Sequence, residues 1–174
     1  MNVLAAVVYR ADEWHDFFVM AGGAAAVLTG LVFVAMSLNV AVIVNDPTHR
    51  YRAIGTITGM TSAFVICALA LMGGQDHRAV GSEWFVVAAV AAVVYVNGYV
   101  KAVRLGGNEK WLSGGRVVAA GAGYLIELIG AALLIAGVIA GLYIAAVMMI
   151  LLLAFMVSGA WLLIIGVSTH HRSP

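Results

Sequence analysis

The residue best placed to do chemistry in this chain is a lone carboxylate. Glu127 stands inside the apolar run "GAGYLIELIGAALLIAG", residues 121 to 137. An acid at the centre of a bilayer costs roughly 2.5–3.5 kcal/mol on insertion scales, so its presence calls for a compensating partner. Two chemistries are open to it. A protonated Glu127 donates a hydrogen bond and ties two helices together, whereas an ionised one needs a cation and can serve a proton or ion pathway. Ranked by depth, its candidate partners are Thr61 and Ser62 in the second apolar run, and Asn97 and Lys101 one helical turn apart in the third. Lys101 is the cation expected to reach it, across a depth offset of roughly 9 Å that the two long side chains could bridge. The alternative is that Lys101 snorkels to the headgroups and leaves Glu127 as a neutral tether.

Other chemistry is sparse. No GxSxG, phosphate loop, CxxC or acid pair on a shared helix face occurs, so the chain is read as non-enzymatic and without a cofactor. An enzyme acting on lipid rests on compartment alone. The single cysteine, Cys67, lies in an apolar run and reads as a small buried hydrophobe. Asp12, His15, Asp16, Asp76, His77 and Glu83 fall on one side of the membrane in the topology below. Their spacing matches no closed zinc pattern, and His15 and His77 read as solvated loop residues; no metal is expected. His170 and His171 read as part of a basic tail.

The elements that must position these residues are set by composition. Of 174 residues, 64% are hydrophobic and 10% charged, with a mean hydropathy of +1.05. Soluble domains are only about 45–50% apolar, so this chain belongs in a bilayer. A net charge of +1 without clustered Lys and Arg excludes a nucleic-acid surface. A hydrocarbon layer about 30 Å thick takes roughly 20 helical residues. Spans are expected at 17–44, 53–74 and 84–105. The final run, from 117 to 169, would extend about 80 Å as one helix and must cross twice. Gly137 and Gly141 in "GVIAGLY" mark the reversal, giving spans at 117–138 and 142–167. The fold is therefore an all-α, polytopic bundle of five transmembrane helices in one domain, or four if this tail is re-entrant.

Five spans place Arg50, Arg52, Lys101, Arg104, Lys110, Arg116 and Arg172 on one side and only Arg10 and Arg78 on the other, which predicts the N-terminus out and the C-terminus in. "MNVLAAVVYR" lacks a basic start and reads as no secretory signal, so the first span is expected to stay as an anchor. Trp14, Phe17 and Phe18 share one face of a short helix at headgroup depth. Small residues four apart, Gly55 and Gly59, Gly137 and Gly141, Ala26 and Gly30, Ala119 and Gly123, predict close helix packing, within this chain or against another.

Two resemblances follow from particular strings. "ELIGAALL" resembles the glutamate helix of small multidrug transporters, although there the acid lies on the first of four helices and here on the fourth. "WHDFFVMAGGAAAVLTGLVFVAMSLN" at 14–39 and "GTITGMTSAFVICALALMGGQ" at 55–75 are similar to small integral membrane proteins of actinobacteria, some labelled modulators of a membrane-bound protease. That resemblance covers less than a third of the chain. It implies a helical bundle in a bacterial inner membrane, and the protease label points to a partner-binding role; the small-residue faces and short loops put the chain in contact with lipid and with other membrane subunits or copies of itself. The expected function is an accessory or modulator subunit; the rival is a small proton-linked channel or transporter using Glu127.

Overall fold

The computed structural model describes residues 11–105 and 114–170, with side chains of the last helix as far as Trp161. Six helices account for nearly all of this: α1 (Ala11–Leu38), α2 (Val40–Asn45), α3 (Pro47–Ala70), α4 (His77–Arg104), α5 (Gly114–Ile135) and α6 (Ala140–His170). Among the described residues there is no strand. All but α2 are long and apolar enough to cross a membrane. The final run does form two spans, so the bundle has five, not four. Arg10, Lys110 and Arg172, which entered the charge count above, and His171 of the tail lie outside the described residues.

The helices begin where capping chemistry sets them, several residues ahead of the purely apolar stretches. Asp46 accepts from the amides of Thr48 (2.7 Å) and His49 (3.3 Å), and Pro47 occupies the first helical position, so α3 starts at 47 where hydropathy alone placed 53. Asp76 does the same for α4 through Arg78 (3.1 Å) and Ala79 (2.9 Å), which starts at 77 where 84 was expected. The Ala79 amide, followed by the neighbouring His77 and Arg78 charges, holds the Asp76 carboxyl below its usual range. The expected first span, 17–44, is divided. Asn39 leaves the helical conformation (φ −120°, ψ 20°), and its side chain donates to the Ala35 carbonyl at 2.9 Å, separating α1 from α2.

Gly137 makes the reversal between α5 and α6. It adopts φ +85°, its amide returns to Leu134 and that of Val138 to Leu133, both at 2.9 Å, which is a Schellman turn. Gly141 plays a different part from the one its sequence position implied. It lies inside α6, where an added Cβ would strike the Gly130 carbonyl and Leu133 of α5. Gly130 is packed as closely, 2.7 Å from the Ala145 amide nitrogen by the same measure. Here two helix backbones are nearly in contact, as small-residue faces allow.

Gly22 fits against Cys67, Gly55 against Tyr95, Gly59 against Met156 and Gly81 against Ala131 and Ile135. These four pairs fix α1 on α3, α3 on α4, α3 on α6 and α4 on α5. Helices α3, α4, α5 and α6 thus close into a ring, and α1 packs outside it on α3. Trp84, Met60, Leu134, Leu142 and Met149 fill the interior, while Leu31, Phe33, Val90, Val93, Leu125, Val147 and Leu151 point outward as a lipid-facing surface. Arg50, Arg52, Lys101, Arg104 and Arg116 gather where α3 and α5 begin and α4 ends; Asp12, Glu13, Asp16, Asp76 and Glu83 lie toward the other end. These are the basic and acidic ends of the bundle.

Candidate functional site

Glu127 points into the ring and is only 3% exposed. Its Oε1 accepts a hydrogen bond of 2.9 Å from the indole Nε1 of Trp84 on α4. Trp84 is itself 1% exposed and is held edge-on to Phe18 of α1, with ring centroids 6.1 Å apart. Phe18 in turn meets Phe17 and Trp14, and Trp14 meets Tyr143 of α6. The aromatic face noted near residue 14 therefore does more than sit at the headgroups: through Phe18 it packs against the indole that binds Glu127. Such support from neighbouring side chains gives a buried polar contact its geometry.

One helical turn before Glu127 on the same face is Tyr124, 3% exposed, whose hydroxyl has no hydrogen-bond partner among the described residues. Both side chains line a cavity of about 10 Å³, closed by Gly59, Ser62 and Ala63 of α3 and by Met149, Leu152 and Leu153 of α6. A space of that size holds about one water molecule. Ser62 has its hydroxyl proton committed to the Gly59 carbonyl at 2.8 Å, leaving its oxygen as an acceptor. Cys67 lies within electrostatic reach of Glu127. Toward the basic end, Tyr95 of α4 stands 6.0 Å from Tyr124, centroid to centroid. Trp84, Glu127, Tyr124 and Tyr95 thus form a polar column along one side of the ring.

The four residues expected around Glu127 are only partly brought together. Ser62 shares its cavity. Thr61, the next residue back on α3, is exposed on the outside of the bundle. Asn97 and Lys101 are also exposed. Because Gly81 is level with Ala131 and Ile135, Lys101, twenty residues beyond Gly81 on α4, stands about 20 Å from Glu127 along the bundle axis. The proposed reach of Lys101 across roughly 9 Å is thereby ruled out: α4 runs past the level at which α5 begins, and the offset is about twice what the apolar stretches implied. Glu127 itself lies about 12 Å from the acidic-end terminus of α5 and about 4 Å from the middle of that helix. Of the four packing glycines, Gly55, Gly59 and Gly141 do pack within this chain, and Gly137 makes the turn.

Sequence reasoning missed Trp84 and Tyr124. For Tyr124 a signal existed, since it precedes Glu127 by three residues and so shares its face. Trp84 had none, because nothing in its local sequence says which helix it faces. Among the described residues, no three of the acids and histidines converge as metal ligands. Asp76 caps α4, and Glu83 accepts from Gln75 Nε2 at 2.9 Å.

Fold and site together define a multi-pass helical membrane protein with one buried carboxyl among the described residues. No family model matches the chain, and neither does any curated protein or solved structure.

Proposed function

We propose that the chain is a non-enzymatic accessory or modulator subunit of the bacterial cytoplasmic membrane, with its N-terminus outside and its C-terminus inside, binding a larger membrane complex or a second copy of itself. The observation that carries this reading is the outward placement of Asn97. It is a primary amide within an α4 span, exposed, and without a hydrogen bond among the described residues. Gly98 beside it packs on Tyr51 of α3, which sets Asn97 toward the basic end, and an amide on an outward face there is satisfied by headgroups or across a helix–helix interface. Thr61 is a second polar group on an outward face. Glu127 fits the same reading as a tether, because a neutral indole holds it inside a closed ring and no cation pairs with it among the described residues. Native mass measurement after gentle detergent extraction is expected to show a complex or a symmetric oligomer that Asn97→Leu weakens. A lone monomer in both proteins opposes the reading.

A second reading, a small proton-linked channel or transporter, is favoured by the polar column, which lines up two phenols and a carboxyl inside the ring. Liposomes holding purified protein should then pass protons or cations, and Glu127→Gln should abolish the flux; equal flux in that variant removes Glu127 from any pathway.

A further inference from the structure

The helices that bring polar side chains to the inner cavity stand diagonally opposite in the ring: α3 and α5 each rest on α4 and α6 rather than on one another. The cavity of about 10 Å³ lies on that diagonal. Gly59, Ser62 and Ala63 reach it from α3, Tyr124 and Glu127 from α5, and Met149, Leu152 and Leu153 of α6 close one side. Helix α6 is already seated on both neighbours, with Met156 against Gly59 of α3 and Leu152 against Gly123 of α5, so it cannot move inward to fill the gap.

The polar groups at this cavity complement a single water molecule. Ser62 gives its proton to the Gly59 carbonyl at 2.8 Å and keeps an acceptor oxygen. Glu127 accepts the Trp84 indole at Oε1, and its carboxyl has further lone pairs whether or not it carries a proton. Tyr124 supplies the donor: its hydroxyl is buried, has no hydrogen-bond partner among the described residues, and lies within electrostatic reach of Glu127. One donor and two acceptors match a water that accepts once and donates twice, and buried waters make about three such bonds. The methionine and leucine walls offer no competing partner. A metal cation would require more oxygen ligands than the cavity presents, and a larger molecule would not fit.

We infer that the cavity is a binding site for one water molecule, which accepts from the Tyr124 hydroxyl and donates to Ser62 Oγ and the Glu127 carboxyl, and so braces α3 to α5 across the diagonal of the ring. Through the indole bond of Trp84, Glu127 then ties α5 to α4 directly and to α3 by way of the water. A dry cavity would instead leave the Tyr124 hydroxyl bearing the full cost of its lost hydration. The site does not depend on whether the chain acts as an accessory subunit or as a channel.

The test pairs a structure of the full chain, at a resolution that shows ordered water, with thermal unfolding of variants in one detergent. A single density peak is expected within about 2.7–3.2 Å of Tyr124 Oη, Ser62 Oγ and a Glu127 oxygen. Tyr124→Phe keeps the ring and removes the donor. With a bound water that variant loses a hydrogen bond and its Tm falls by about 2–4 °C; with a dry cavity the same change removes an orphaned hydroxyl, and Tm holds or rises. Tyr124→Phe combined with Ser62→Ala should lose less than the sum of the single losses, because the two side chains share the water and make no bond to each other. No peak in the cavity, or a Tm for Tyr124→Phe at or above that of the parent, would overturn the site. Additive losses would overturn the brace between α3 and α5. A parent Tm that rises with sodium chloride and not with choline chloride, an increase absent in Tyr124→Phe, would give the site to a cation and overturn the water. If Tyr124→Phe fails to fold, the peak in the parent decides alone.

Discussion

At the scale of single residues, Glu127 depends on one donor. Trp84→Phe preserves the ring that packs on Phe18 but removes the indole N–H, leaving the carboxyl in its cavity without that bond. A buried polar group deprived of its partner costs about 1–3 kcal/mol. Glu127→Gln is expected to be milder, since its amide oxygen still accepts from Trp84. Equilibrium unfolding in mixed micelles should order the proteins as parent, then Glu127→Gln, then Trp84→Phe; equal stability of Trp84→Phe and parent would show the bond to be dispensable. This contact illustrates what the sequence does and does not disclose. The cost of an acid in an apolar run is a local fact, legible from "YLIELIG". The donor lies 43 residues away, and which indole faces which acid is decided by helix register, a property of the assembled bundle.

At the scale of elements, the α5–α6 pair rests on reciprocal glycines. An added side chain at Gly141 meets the α5 backbone rather than the end of a flexible side chain, so Gly141→Val must separate two helices. A loss of about 2–4 kcal/mol is expected, within the range of severe overpacking. Gly30→Val is the control, since nothing lies within 4 Å of a Cβ there. Thermal unfolding of the two variants in the same detergent checks this; equal Tm values would mean that the close approach contributes nothing. Both glycines belong to small-residue pairs four apart, and the sequence does not distinguish them. The helix count and the reversal were legible, because apolar length and a glycine at a turn are local signals. Helix starts were displaced by up to seven residues because Asp46 and Asp76 extend α3 and α4 past their apolar stretches into charged sequence, where hydropathy is silent and capping chemistry is not.

At the scale of the whole molecule, polar groups are separated by depth. Arg52 and Arg116 at the basic end, then Tyr95, Tyr124 and Glu127, follow one another along the ring, and Lys101 stands outside it near the basic end. Residues so far apart without shared partners should act independently. The double variant Lys101→Ala with Glu127→Gln is expected to lose the sum of the single losses to within about 0.5 kcal/mol. A coupling energy above about 1 kcal/mol, measured by unfolding, would restore the pairing that the geometry removes.

The turn at Gly137 has a further consequence, for how the chain enters a membrane. Only residues 136–139 separate α5 from α6, too few to let either helix adopt its direction alone. From Ala140 to Thr169 the sequence contains no Lys, Arg, Asp or Glu, so α6 brings almost no orienting charge of its own. A turn this short makes α5 and α6 a hairpin that enters the membrane as a pair, with Arg116 before its first arm and Arg172 after its second as the flanking charges.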